Sequence, residues 1–391
     1  MTQTERFFVK CLKTALDGEE IENLPKDIDY KKLFELSLQH SVVVIVYYAF
    51  GKQLEKTPKG FQQAMQILIT KHIAKEERSR HDKQVVVNTL EEKGVSFLPL
   101  KGYFLKQLYP KREMRYTSDC DILVDVKKMK EVHKIFKDLG YLKEKEDTHH
   151  DIFYNPQTKT VFEMHKTMFV GALKKYFGVG FERAKLVEGK QNFHFLSEND
   201  LYISVLGHYA YHFDEGAGVG MRSICDIRVM QKAFGDKLDN QYINTELEKC
   251  GLKVFKEQFE KVVDYLFDER EATQFTMDLA EYILQSSLFS NKEHRLANKA
   301  VKTKIEDREK AKKKAILRRI FPKKETIYYT YPWIKKVKIL LPLGYVIRWF
   351  RVLFKSPGRI KEINELDKMD QRVFDKIKYI KEGLDLDGLT N

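Results

Sequence analysis

Apolar residues along the first eighty positions recur at mixed i, i+3 and i+4 spacing, which is typical of amphipathic helices. The pattern predicts helices over residues 29–51 and 61–80. The β-branched run at 42–46 also fits a strand, but it lies inside a longer helical pattern. We therefore interpret this run as part of a buried helix.

The pattern changes near residue 83, where short apolar runs begin to alternate with helical segments. Gly94 is suited to the C-terminal end of a polar-faced helix. After it, the pattern predicts strands at 95–100, 119–124, 152–154 and 160–165, and helices at 103–109 and 127–139. This order indicates a small α/β unit of roughly one hundred residues.

Helical periodicity returns after residue 197, over segments 198–211, 222–233, 241–268 and 272–288. The sequence thus predicts an α+β fold, in which a small mixed-sheet core is flanked by N-terminal and C-terminal helical regions. We expect four parts: a helical region at 1–82, the core at 83–195, a helical domain at 196–300 and a basic amphipathic segment at 301–391.

The composition fits a packed core, because 43% of the residues are hydrophobic and 32% are charged. The net charge of +13 would suggest a nucleic-acid partner, but its distribution argues against one. Residues 301–360 hold 18 Lys/Arg against 4 Asp/Glu, so the other 331 residues carry a net charge near −1. Since a polynucleotide needs basic residues around the core, we expect no nucleic-acid partner.

The cysteines are scattered without the spacing of a zinc site or a disulfide framework, at Cys11, Cys120, Cys225 and Cys250. This usage suits a reducing compartment. Residues 1–20 lack the apolar run of a secretory signal, and no stretch reaches the ~20 apolar residues of a membrane span. We therefore expect a cytoplasmic protein.

Two carboxylates are predicted side by side on one strand. In an extended strand residues i and i+2 face the same way, so Asp119 and Asp121 share a face. Their repulsion is relieved by a divalent cation such as Mg²⁺ or Mn²⁺. Glu163, on a predicted neighbouring strand, would complete a two-metal site.

Candidate phosphate-binding groups precede these acids. Lys101 and Gly102 lie at a predicted strand-to-helix junction, where glycine permits close backbone approach and the lysine ammonium favours phosphate. Arg115, four residues before Asp119, is a further phosphate candidate.

These residues carry a resemblance to the uncharacterised nucleotidyltransferase family of the DNA polymerase β-like superfamily. The similarity spans roughly residues 30–235, and its motifs are Leu100-Lys101-Gly102, Leu108-Tyr109-Pro110, Arg115-x-x-Ser118-Asp119-x-Asp121 and Glu163-x-His165. The resemblance implies that Asp119 and Asp121 are the metal-binding pair and that Glu163 is the third acid. It also places the nucleotide near Lys101, Gly102, Arg115 and Ser118.

The resemblance implies transfer of a nucleoside monophosphate from an NTP to a hydroxyl or phosphate. The acceptor would be a small molecule, a saccharide, a lipid-linked compound or a peptide. The sequence departs from the superfamily at the turn, which is Lys-Gly rather than Gly-Ser, and at Glu163, where many members have Asp. The alternative is a non-catalytic nucleotide-binding or membrane-surface module that retains the fold.

Several further residues resemble family features of unknown role: His149, His150, His208, Arg222 and Asp226. We expect His165 to orient a carboxylate or pack in the core rather than to bind metal. His208 and His212, four residues apart, form either a metal-binding pair or, in our preferred interpretation, a buried structural pair. Asp226 either pairs with Arg222 on one helix or reaches back to the site.

The segment 328–355 combines basic residues with aromatic ones and contains both tryptophans, Trp333 and Trp349. Its composition fits a helix that lies on an anionic membrane surface, which would make the protein peripheral to the membrane. The apolar face could equally dock on the protein's own helical domain. Binding of nucleic acid is the weakest of the three interpretations.

Overall fold

The N-terminal region of the computed structural model consists of four helices: α1 (Gln3–Leu16), α2 (Tyr30–Gln39), α3 (Val43–Phe50) and α4 (Lys59–Glu92). The β-branched run lies in the buried helix α3, as predicted. The predicted helix over 29–51 is two helices, because Ser41 adopts a left-handed backbone (φ 55°). The helix predicted over 61–80 and the helix predicted to end near Gly94 are one continuous helix.

The structure describes residues 1–117, 119–216, 218–286, 298, 301, 308–331, 333–334, 337–355 and 370–386. Ser118, Lys335, Lys336 and the predicted helix end at 287–288 lie outside these residues.

A five-stranded mixed sheet follows the N-terminal helices. Its strands are β1 (Phe97–Pro99), β2 (Asp119–Val124), β3 (Leu142–Glu146), β4 (His150–Tyr154) and β5 (Val161–His165). The spatial order is β1-β2-β5-β4-β3, in which β2 and β5 are parallel and every other pair is antiparallel. The predicted α+β fold with a mixed-sheet core is therefore confirmed. The sequence pattern missed β3 because all five of its residues are exposed and it has no apolar alternation.

One face of the sheet packs against α6 (Met129–Asp138), and the opposite face carries the candidate site. Phe136 of α6 stacks on Phe153 of β4 with ring centroids 4.3 Å apart. Cys120 and Ile122 of β2 point into this apolar layer. Because side chains alternate along a strand, the polar residues of β2 point to the other face.

Short elements connect the sheet to the next helical region. They are α5 (Lys101–Leu105), α7 (Gly171–Phe177), and the paired strands β6 (Ala184–Leu186) and β7 (His194–Leu196). The region itself contains α8 (Glu198–Gly216), α9 (Met221–Phe234), α10 (Asn240–Lys249), α11 (Lys253–Phe267) and α12 (Gln274–Gln285). The helix predicted over 241–268 is interrupted at Gly251, whose φ of 70° ends α10. One apolar core joins these helices to the N-terminal ones.

The C-terminal region contains α13 (Arg308–Ile320), α14 (Lys324–Thr330), α15 (Leu341–Lys355) and α16 (Gln371–Gly383). Trp349 of α15 donates from Nε1 to the carbonyl of Ile320 at 2.8 Å, so part of this region folds on itself. Ile316 of α13 packs against the main core. Among the described residues, no helix is both long enough and apolar enough to span a bilayer.

Candidate active site

The parallel pairing of β2 with β5 brings the predicted acids together. Asp121 lies directly opposite Glu163 in the register, and Asp119 lies opposite Val161. Because alternate residues share a face, Asp119, Asp121 and Glu163 all project from the side of the sheet that α6 leaves open. The sequence predicted that Glu163 would lie on a neighbouring strand, and the structure places it there.

Two histidines flank these acids on the same face. His165 Nε2 lies 3.1 Å from Asp121 Oδ1 and 3.7 Å from Glu163 Oε2. His150 of β4, the cross-strand partner of His165, places Nε2 3.6 Å from Glu163 Oε2. His165 is thus within hydrogen-bond distance of the Asp121 carboxylate. The imidazole of His149 packs edge-on against His165, with centroids 5.0 Å apart.

Burial and mutual repulsion set the ionisation of the acids. Burial and the neighbouring Asp121 raise the pKa of Asp119. Burial, Asp121 and Asp119 together raise the pKa of Glu163 to about 7. Burial would also raise the pKa of Asp121, but the hydrogen bond and charge of His165, together with the charges of Lys101 and His150, outweigh burial and lower that pKa. Acids held this close are stabilised by a cation.

Lys101 is the first residue of α5 and places a cation beside the acids. Burial, reinforced by Arg115, lowers the pKa of its ammonium to about 7. Its Nζ lies 5.4 Å from the ring centroid of Tyr209. Within the described part of the chain, Lys101 forms no ion pair with a carboxylate, so its charge is available to an anionic ligand.

Arg115 is buried and forms a two-pronged ion pair with Asp226 of α9. Nε donates to Oδ1 at 2.7 Å and Nη2 donates to Oδ2 at 2.9 Å. The hydroxyls of Tyr109 and Tyr209 also donate to Asp226. Asp226 therefore reaches back to the site through Arg115, one of the two roles considered for it.

The third guanidinium nitrogen of Arg115, Nη1, is oriented toward Gly102 in the first turn of α5. Nη1 is buried and has no hydrogen-bond partner among the described residues. A Cβ atom added at Gly102 would lie 3.5 Å from this nitrogen. A side chain at position 102 would therefore stand between Arg115 and a ligand that approaches the turn. A buried donor without a partner is rare in proteins and fits a place where an anion binds.

Helices α8 and α9 supply residues whose role the sequence left open. Arg222 donates from Nη1 to the carbonyl of Tyr116 at 3.0 Å, and burial followed by repulsion from Arg115 lowers its pKa. The rings of His208 and His212 lie 4.3 Å apart. Burial, followed by Lys101, lowers the pKa of both. In the sequence, Arg222 was marked only by its resemblance, together with Asp226, to family features of unknown role.

Apart from Asp226 and Tyr109, these groups line one cleft of about 500 Å³ between the sheet and the helices. Its polar lining includes Lys101, Arg115, Asp119, Asp121, His149, His150, Glu163, His165, His208, His212 and Arg222. Carboxylates lie on the sheet side and cations lie around Lys101. Such a cleft suits a ligand that carries phosphates together with a divalent cation.

The mixed sheet thus presents carboxylates on two adjacent parallel strands, beside a cluster of cations. Residues 26–268, well over half of the chain, match the model of the family described as uncharacterised nucleotidyltransferase. The chain therefore belongs to this family, as the sequence resemblance indicated, and is a transferase in that general sense. No curated protein and no solved structure matches the chain.

Proposed function

We propose that the protein transfers a nucleoside monophosphate from an NTP to a hydroxyl or phosphate of a small-molecule, saccharide, lipid-linked or peptide acceptor. The observation that carries the proposal is the register of Asp121 against Glu163, which assembles the carboxylates inside the same cleft as Lys101.

Ligand atoms of Asp121, Glu163 and His165 lie within 4.8 Å of one another, which suits a divalent cation, Mg²⁺ or Mn²⁺. We assign Asp119, Asp121 and Glu163 as its carboxylate ligands, Asp119 because it shares the face of Asp121 on β2. Oxygen donors of this kind, supplemented by substrate phosphates, are what Mg²⁺ uses in phosphoryl-transfer sites. When bound, the cation neutralises the acids and polarises the transferred phosphoryl group.

The cations of the cleft bind the triphosphate in this proposal. Lys101 supplies a charge that acts on Asp119 and Asp121, and Arg115 supplies the unpartnered Nη1. Gly102 leaves the space between them open. Arg222, which lines the same cleft, adds a third positive charge. We retain Ser118 as a nucleotide-binding residue on the family resemblance alone.

Calorimetric titration of the protein with ATP, GTP, CTP and UTP, with and without Mg²⁺, tests the proposal without knowledge of the acceptor. We expect one NTP to bind in the presence of Mg²⁺ and binding to be lost when EDTA is added. Failure of all four to bind folded protein would contradict it. Mg²⁺-dependent binding without release of pyrophosphate, for any acceptor class, would favour the alternative of a non-catalytic nucleotide-binding module.

Replacing Lys101 with Met is expected to weaken NTP binding by about 10–100-fold, because a charge-assisted contact is lost. The same change is expected to raise the melting temperature, because a desolvated ammonium that forms no ion pair with the described residues opposes folding. Since the folded pKa of about 7 lies below the unfolded value, the unfolded chain binds more protons between pH 7 and about 10. Wild-type stability therefore rises with pH across that window, and Lys101→Met flattens the rise.

Lys106→Met is the matched control for this measurement, which is thermal unfolding at pH 7 and pH 9. Lys106 is buried and, unlike Lys101, pairs with a carboxylate, that of Glu76, so its removal leaves this carboxylate unpaired and lowers the melting temperature. Equal shifts in the two variants would contradict the role given to Lys101.

We also propose that residues 328–355 bind an anionic membrane surface, so that a cytoplasmic protein is held peripherally. The supporting observation is that large apolar side chains remain exposed there beside basic residues. Ile339 is 84% exposed and Phe350 is 59% exposed, next to the exposed Arg351. Apolar insertion combined with basic charge is the chemistry of interfacial binding.

Co-sedimentation with phosphatidylserine vesicles at low salt tests the membrane proposal. We expect the wild type to pellet, Phe350→Asp and Ile339→Asp to stay in the supernatant, and Ile67→Asp to behave as wild type. Ile67 is a suitable control because it is equally apolar and 54% exposed, but lies on α4. Retention of wild-type protein in the supernatant would overturn the proposal, as would tighter binding to single-stranded RNA than to vesicles.

A further inference from the structure

The ligand atoms around Glu163 include nitrogen as well as oxygen. His165 and His150 both direct Nε2 toward Glu163 Oε2, at 3.7 Å and 3.6 Å. His165 Nε2 also lies 3.1 Å from Asp121 Oδ1. Four potential ligand atoms from three adjacent strands therefore converge on one region of the cleft.

The separations between these atoms suit a shared metal ion. Ligands held about 2.0–2.2 Å from one ion, at tetrahedral or octahedral angles, lie about 2.8–3.6 Å from one another. The three separations given above fall within or just above this range. Ligand atoms of Asp121, Glu163 and His165 lie within 4.8 Å of one another, and His150 joins this set through its contact with Glu163. Metal binding therefore requires side-chain adjustment, most of it at His150, and no change of strand register.

The backbone fixes both imidazoles on this face. His150 and His165 are direct cross-strand partners, and Glu163 is two residues before His165 on β5. Both residues of a cross-strand pair point to the same side of a sheet. Each ring also has a buried Nδ1 without a hydrogen-bond partner in the part of the chain that the structure describes. Ring nitrogens of His149, His150 and His165 lie within 4.8 Å of one another.

We propose that the ion held by Glu163 is a transition-metal ion of the Mn²⁺, Co²⁺ or Zn²⁺ class, bound by Asp121, Glu163, His165 and His150. Mg²⁺ takes oxygen ligands, whereas imidazole suits the first-row transition metals. The proposal deepens the proposed function, on which it rests, because it makes the site asymmetric. Asp119 and Asp121 offer oxygen alone, while the Glu163 position also offers nitrogen.

Pulsed EPR of the wild-type, metal-free protein loaded with one equivalent of Mn²⁺ tests the ligand set directly. We expect hyperfine coupling to ¹⁴N from directly bound imidazole. The coupling should be reduced in His150→Ala and in His165→Ala and retained in His81→Ala, which removes an exposed histidine from α4. Absence of ¹⁴N coupling in the wild type would overturn the proposal, even if a variant failed to fold.

Competition with a chromophoric chelator gives the second measurement. We expect His150→Ala and His165→Ala to weaken Zn²⁺ and Co²⁺ binding by more than the roughly 10–100-fold typical of residues that only orient metal ligands, and to leave Mg²⁺ binding nearly unchanged. Equal loss for all three ions would overturn the nitrogen-ligand assignment.

The outcomes for this proposal and for the proposed function are separable. Mg²⁺-dependent NTP binding without ¹⁴N coupling overturns the nitrogen-ligand assignment alone. Nitrogen coupling in a protein that binds none of the four NTPs supports the metal site and overturns the transferase proposal.

Discussion

Replacing Asp121 with Asn is expected to abolish metal-dependent NTP binding while the fold is kept. Asp121 lies opposite Glu163 and accepts a hydrogen bond from His165. It is therefore the carboxylate that contacts both the acids and the histidines of the site. Loss of residues that merely orient metal ligands costs about 10–100-fold in affinity, and we expect loss of a ligand itself to exceed that range. Calorimetry with the NTP that the wild type prefers measures the effect.

Asp125→Asn provides the control for this prediction. Asp125 follows directly after β2, and its side chain accepts from the backbone N–H of Lys127, a contact that Asn preserves. We expect this variant to bind the NTP as the wild type does. Unchanged binding by Asp121→Asn would contradict the metal site, and equal loss in both variants would show a general effect of charge.

Replacing Asp226 with Ala is expected to destabilise the protein by about 3–5 kcal/mol, the cost of leaving a buried charge unpaired. The guanidinium of Arg115 is 1% exposed and Asp226 is fully buried, so water cannot take the place of the lost carboxylate. Burial would raise the pKa of Asp226, but Arg115 lowers it, so the ion pair is intact at neutral pH and fails only in acid. Denaturant unfolding followed by circular dichroism measures the change.

The ion pair between Arg228 and Asp268 is the matched comparison, since Arg228 lies on the same helix α9 as Asp226. It is also two-pronged, with distances of 2.6 and 2.8 Å, but both partners are partly exposed. Asp268→Ala should therefore cost no more than about 1 kcal/mol. Similar destabilisation in the two variants would contradict the importance of burial.

The double variant Arg115→Met, Asp226→Leu separates stability from function. Replacement of a buried ion pair by apolar residues is often neutral or stabilising. We expect less destabilisation than in Asp226→Ala, although the hydroxyls of Tyr109 and Tyr209 lose their acceptor. We also expect weaker NTP binding, because the Nη1 of Arg115 is lost. Normal NTP binding in this variant would remove Arg115 from the triphosphate site.

The local sequence determined the acidic part of the site. The two-residue period of a strand fixes Asp119 and Asp121 on one face wherever that strand lies. The apolar residues that end this segment, Ile122, Leu123 and Val124, were enough to predict β2. The helices on either side of the sheet were likewise recognised from periodicity, although the breaks at Ser41 and Gly251 depend on single left-handed residues that periodicity does not reveal.

Only the tertiary structure decided which distant residues meet these acids. The parallel register of β2 and β5 places Glu163 opposite Asp121, and the antiparallel pairing of β4 adds His150. The packing of α9 makes Asp226 the partner of Arg115, whereas sequence spacing alone would equally pair Asp226 with Arg222. Strand order and helix packing arise from burial of apolar faces that are far apart in sequence, and no local pattern encodes which of those faces become neighbours.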